Sequence, residues 1–149
     1  MNNKIGLSGR LSINHMRNGQ LVNSVAVPNT IMNVGKSVIS SFIGSDISTG
    51  VAFDYMSIGT SGLAAAATQT TLGSEQVRVN TVASQTTKTT TNDTATFIGS
   101  FVITGTHSIV EAGVFNAAST GSMLARTTFG AISVVSGDSI NATWAVTVA

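Results

Sequence analysis

The chain has 149 residues, enough for one domain with a real core, and no cysteine, which excludes a disulfide framework and a thiolate metal site. Its formal net charge is +1, and its seven Lys and Arg residues are scattered, so it lacks the basic footprint that nucleic-acid binding requires. Only 9% of the residues are charged, against about 25% in an average soluble domain, while 42% are hydrophobic. Such a surface suits a chain that lies against other protein in a large assembly.

Residues 10–27 predict a hairpin. Leu11 and Ile13 lie on one side of Arg17-Asn18-Gly19, Leu21, Val25 and Val27 on the other, and Asn-Gly supplies the positive φ angles of a tight turn. The opening segment, residues 1–15, lacks the long apolar core of a signal peptide and is expected to serve as an assembly arm. Pro28 ends the hairpin. Asn29 or Thr30 can cap a helix over 30–43, whose stripe is Ile31, Val34, Val38 and Phe42, with Gly44 at its C-terminal end. Gly35 inside it costs about 1 kcal/mol relative to Ala and points to a close backbone approach.

Residues 44–51 are expected to be loop, and Phe53–Ile58 a strand. The alanine run at 64–67 is too short to hold a helix alone, so residues 63–76 predict an irregular arm over the surface. Val77–Val82 is a predicted strand. The Thr-rich stretch 84–96 predicts an edge strand or ribbon with a turn at Asn92-Asp93. Phe97–Ile103, Ile109–Phe115, Met123–Phe129, Ile132–Val135 and Ile140–Val148 follow as strands. The last alternates with period two, placing Ile140, Ala142, Trp144, Val146 and Val148 on one face. The sum is a mainly β single domain over 1–149, an antiparallel β-sandwich or jelly-roll-like fold with one short helix. The expected aromatic core is Phe42, Phe53, Phe97, Phe101, Phe115 and Trp144.

The chemistry-bearing residues are few. His15 and His107 are expected to be exposed strand or turn residues, and Asp138 a turn residue. Asp46 and Asp54 are the only pair that could share a cation, and they lack a loop signature, so no metal and no cofactor are expected. Gly6–Gly9 and Gly59–Gly62 lack the second glycine of a nucleophile elbow, and Gly35-Lys36-Ser37 lacks the upstream glycine of a phosphate loop. No catalytic residues emerge, and no enzyme is expected. Glu111 interrupts an apolar strand, as Arg126 does the next. A hairpin register summing to 237 sets them opposite each other as a structural ion pair. No run approaches the roughly 18 apolar residues of a membrane-spanning helix, and no membrane partner is expected.

Several strings occur in a set order: Phe53-Asp54-Tyr55-Met56-Ser57-Ile58-Gly59-Thr60, the alanine run, Thr71-Leu72-Gly73-Ser74-Glu75, Glu111-Ala112-Gly113-Val114-Phe115-Asn116, Met123-Leu124-Ala125-Arg126, and Gly137-Asp138-Ser139-Ile140 with Trp144. In that order they resemble a group of small structural proteins of tailed bacteriophages and prophages, labelled head or tail-fibre proteins. The resemblance implies a virion component assembled in the host cytoplasm, with other virion proteins as partners. A capsid decoration (auxiliary head) protein is the first expectation. It would bind the major capsid protein in many copies as a symmetric homo-oligomer such as a trimer, through residues 1–15 and the loops at one end of the sandwich. A tail, baseplate or fibre-attachment component is the alternative, favoured by the Glu111–Asn116 hairpin. A host-surface binding module is a third, disfavoured by the single Trp on the predicted core face.

Overall fold

A computed structural model describes residues 4–44 and 51–149. The chain forms two five-stranded antiparallel sheets packed as a β-sandwich, with one helix. The strands are β1 (Leu7–Arg17), β2 (Gln20–Pro28), β3 (Thr30–Ile31), β4 (Tyr55–Gly59), β5 (Glu75–Asn80), β6 (Val82–Thr86), β7 (Thr94–Val102), β8 (His107–Phe115), β9 (Met123–Val134) and β10 (Ser139–Val148); helix α1 is Asn33–Ile43. Sheet A runs β2-β1-β10-β7-β6 and sheet B runs β3-β9-β8-β4-β5.

The β1–β2 hairpin turns at Asn18 (φ 51°) and Gly19 (φ 75°), as their sequence requires. Strand β1 then lies between β2 and the last strand, with Leu11 opposite Trp144 and Ile13 opposite Ala142. Leu11 and Ile13 are fully buried. This corrects the assembly arm expected over residues 1–15: Leu7–His15 belongs to an interior strand of sheet A, whose alternating apolar residues supply core beside β10. The main core joins Leu11, Ile13, Phe97, Phe101, Ile140 and Trp144 of sheet A to Met56, Ile58, Ile109, Val114 and Ile132 of sheet B.

Helix α1 starts later than its sequence suggests. Thr30 and Ile31 pair with Arg126 and Ala125 as a short strand, and Met32 becomes the N-cap, with no side-chain hydrogen bond. Tertiary partners replace the cap: the Met32 N–H donates to the Leu124 carbonyl (2.9 Å) and the Asn33 N–H to that of Ala67 (2.8 Å). Gly35 faces β9, where a Cβ would sit 2.7 Å from the Leu124 backbone. Phe42 is 41% exposed and outside the core, a second correction; with the helix displaced toward its C-terminus, Val34, Val38 and Ile39 make the contacts instead.

Two further boundaries differ from expectation. The run 77–82 is split at Thr81, where the chain leaves sheet B as β5 and enters sheet A as β6; the Thr81 N–H (2.7 Å) and hydroxyl (2.9 Å) both donate to the Asp54 carbonyl at that crossing. The two runs 123–129 and 132–135 are one continuous strand, β9. The Thr-rich stretch does provide an edge strand, β6, and a loop organised by Asp93. The Asp93 carboxylate accepts from the N–H groups of Lys88, Thr89 and Thr90, which hold it well below the usual carboxylate range.

Candidate functional site

Charged side chains gather in three places, each of them structural in its chemistry. The most buried is built on β8 and β9. Their hairpin closes through the Asn116 N–H to the Ser122 carbonyl (3.2 Å), and a bulge follows between Val114 and Phe115. Glu111 therefore stands opposite Thr128 and Arg126 opposite Gly113, two residues away from the register summing to 237. The ion pair forms nonetheless, on one face and along the diagonal: Arg126 donates from Nη2 (2.7 Å) and Nε (3.1 Å) to Glu111 Oε2. Both residues are 0% exposed.

The pair is buried because an irregular loop, residues 60–74, lies over it. The loop closes at its neck through the Thr60 N–H to the Ser74 carbonyl (2.9 Å). Three of its N–H groups converge on Glu111: Gly73 on Oε2 (2.9 Å), Ser74 (2.7 Å) and Ser61 (3.1 Å) on Oε1. Arg126 Nη1 reaches the other way, to Gln69 Oε1 (2.8 Å) at the loop's far end. Leu72 seats beside Gly113, whose Cβ would lie 3.0 Å from it, and joins Met32, Phe115 and Met123 in a second apolar cluster. Phe115 thus serves this outer cluster rather than the main core. Burial pushes the Glu111 carboxyl up, but the Gly73 N–H, Arg126, and the Ser74 and Ser61 N–H groups outweigh it and hold the group below its ordinary value.

The second cluster closes the β10 end of sheet A. Asp138, 2% exposed, accepts from Arg17 Nε (2.8 Å) and Nη2 (2.8 Å) and from the Val135 N–H (3.0 Å), and contacts His15 Nε2 at 2.8 Å. Its pKa is lowered, chiefly by Arg17, against the opposing effect of burial. Asp138 does hold its turn, but His15, expected to be exposed, is 2% exposed. It shares the inward face of β1 with Leu11 and Ile13, and the Asp138 carboxylate from the β9–β10 turn satisfies it there. An Asp–His pair is two thirds of a hydrolase triad, yet among the described residues His15 bonds only to Asp138.

The third is Arg78 on β5, which no sequence pattern singled out. It forms a bidentate pair with Glu75 (2.8 and 2.7 Å), donates to the carbonyls of Ala117 (2.8 Å) and Thr120 (2.9 Å), and lies 3.7 Å over the Phe115 ring. It staples the β8–β9 turn to the sheet edge. Its i,i+3 spacing from Glu75 was the one available signal, and on a strand that spacing ordinarily puts two side chains on opposite faces.

The remaining candidates do not come together. Asp46 lies outside the described residues, and among the described residues no three metal-ligating side chains group. His107 begins β8, half-buried, beside the Gly105 backbone. An open depression of about 460 Å³ near Arg10, Lys88 and Thr147 touches none of the three clusters. Trp144 is fully buried, and its Nε1 donates to Asn29 (3.2 Å).

These features define an antiparallel β-sandwich whose buried charges bind its own loops. Comparison with protein-family models, with curated proteins and with solved structures gave no match for this chain.

Proposed function

We propose that this chain is a structural protein of a tailed-bacteriophage virion, and within that class a capsid decoration protein that adds to the assembled lattice in many copies. The observation that carries the reading is the outer face of sheet A. It is a broad surface of Ser, Thr and Asn with Val82 (71% exposed), Ile98 (50%) and Val102 (71%) at one side, and Arg10 is the only charged residue its strands display outward. A surface so poor in charge suits burial against protein more than permanent contact with water. Binding only the assembled lattice would stabilise that lattice by mass action. The order of motifs that resembles phage head and tail proteins supports the same class.

The tail or fibre-attachment reading leaned on the Glu111–Asn116 hairpin. In this fold the hairpin's Glu111 and Arg126 lock the 60–74 loop, so the motif carries structure and does not favour the tail. A carbohydrate-binding role loses its one indole, since Trp144 lies in the core.

Quantitative mass spectrometry of purified virions against the major capsid protein tests the proposal. Hundreds of copies are expected. Small multiples of three or six would move the chain to the tail or neck, and complete absence would end the virion reading.

A further inference from the structure

Arg10 and Lys88, two of the chain's seven Lys and Arg residues, line one open depression of about 460 Å³ on the outer side of sheet A. The strand register explains its shape. Ser8, Thr147, Thr94 and Thr86 stand in one row across β1, β10, β7 and β6, and Arg10, Ala145 and Thr96 in the next. Thr94 and Thr147 are buried beside the β6–β7 loop, which is tied to β10 by the Val148 N–H donating to the Asp93 carbonyl (2.9 Å). With the small Ala145 they form a low floor. Arg10 and Ser8 stand on its β1 side, and Thr87 and Lys88 on its loop side.

These walls offer donors and no charged acceptor. Arg10 and Lys88 are exposed, and among the described residues neither makes an ion pair. Thr87 Oγ1 accepts from the Asn92 N–H (3.1 Å), which leaves its own proton free, and the Ser8 hydroxyl bonds to no described residue. No carboxylate lines the depression. The Asp93 carboxylate, in the same loop, is occupied by the N–H groups of Lys88, Thr89 and Thr90 and by the Thr94 hydroxyl. We infer that this depression is a binding site for a tetrahedral oxyanion, a phosphate or sulfate group. Donors on two facing walls suit a group whose oxygens point in several directions, whereas the two oxygens of a carboxylate lie in one plane. Two positive charges match one such group and are too few for a nucleic-acid backbone. The site is open, so binding is weak and falls with salt. The inference concerns the isolated chain and stands apart from the virion reading.

The test is a backbone amide NMR titration of the full chain with inorganic phosphate, inorganic sulfate and acetate, at an ionic strength held constant with chloride. Saturable shifts at Ser8, Thr87, Lys88 and Thr147 are expected with phosphate or sulfate, with a dissociation constant of order 1 mM. Whichever of the two binds more tightly names the group the site takes, and acetate should bind several-fold more weakly than either. Arg10→Gln and Lys88→Gln should each weaken binding about fivefold, the effect of one solvent-exposed charge pair, and the double variant should abolish the saturable shifts. Lys36→Gln, an exposed helix residue outside the depression, removes the same charge and should leave the affinity unchanged. Both site residues are exposed, and melting curves of the variants check that the fold is intact. Absence of saturable shifts at these amides overturns the inference. So does acetate binding as tightly as phosphate and sulfate, or Lys36→Gln weakening binding as much as Arg10→Gln.

Discussion

Sheet B carries the 60–74 loop and the start of α1 on its outer side, whereas the outer side of sheet A is mostly open among the described residues, with only Thr94, Thr96 and Thr147, beside the Asp93 loop, buried there. The strands record the difference. In β10 burial alternates along the strand, with Ile140, Ala142, Trp144 and Val146 in and Asn141 and Thr143 out. In β8 it does not: from Glu111 to Phe115 every residue is buried, as in β4 from Met56 to Gly59. A strand with one wet face must alternate, and a strand covered on both faces cannot. Covering the second face of sheet B means burying a loop, whose main-chain N–H groups need partners, and Glu111 is the acceptor that receives them. The outer face of sheet B is thus finished within the chain, and most of that of sheet A stays open among the described residues.

The sharpest way to break this contrast is Glu111→Ala. It leaves Arg126 buried without its carboxylate and three loop N–H groups without an acceptor, and should cost about 3–5 kcal/mol in urea unfolding. Proteolysis should then cut first within residues 60–74. Replacing Arg126 as well should recover only part of the loss, because the Gly73, Ser74 and Ser61 N–H groups remain orphaned.

Acid should act in the same place. The folded-state pKa of Glu111 lies below its unfolded value, so its contribution is complete above the unfolded pKa of about 4.3 and is lost as pH falls through the folded one. The urea midpoint should be flat near neutrality and decline below about pH 4.5, with Glu75, Asp93 and Asp138, all lowered, adding in the same direction. Hydrogen exchange on acidification should loosen residues 60–74 before the β1–β10 pair, and in Glu111→Gln that first step should flatten.

Gly35→Ala tests the helix that helps cover sheet B. Helix propensity alone predicts a gain of about 1 kcal/mol. The new Cβ would press on the Leu124 backbone, so a net loss of about 1–3 kcal/mol is expected by thermal or chemical unfolding. On the bare face, Ile98→Thr should stay within about 0.5 kcal/mol of the natural chain, because half of Ile98 already faces water. A large loss there would mean that sheet A is covered after all.

Local pattern by itself determined much of this protein. Period-two alternation and Asn-Gly chemistry placed the β1–β2 hairpin, β7, β10 and the sandwich class, since each depends on neighbours one or two residues away. An isolated Glu in an apolar strand and an Arg in the next were enough to foresee the Glu111–Arg126 pair. Tertiary structure alone decided the rest. The diagonal register of that pair came from a bulge, the missing helix cap from Leu124 and Ala67, and the burial of His15 from Asp138, which lies 123 residues away. The first strand became an interior strand of sheet A because β10 had an open side, and Thr81 crossed between sheets where the chain showed an unbroken run. In each case the deciding partner is distant along the chain, and a one-dimensional pattern holds no record of what will be folded against it.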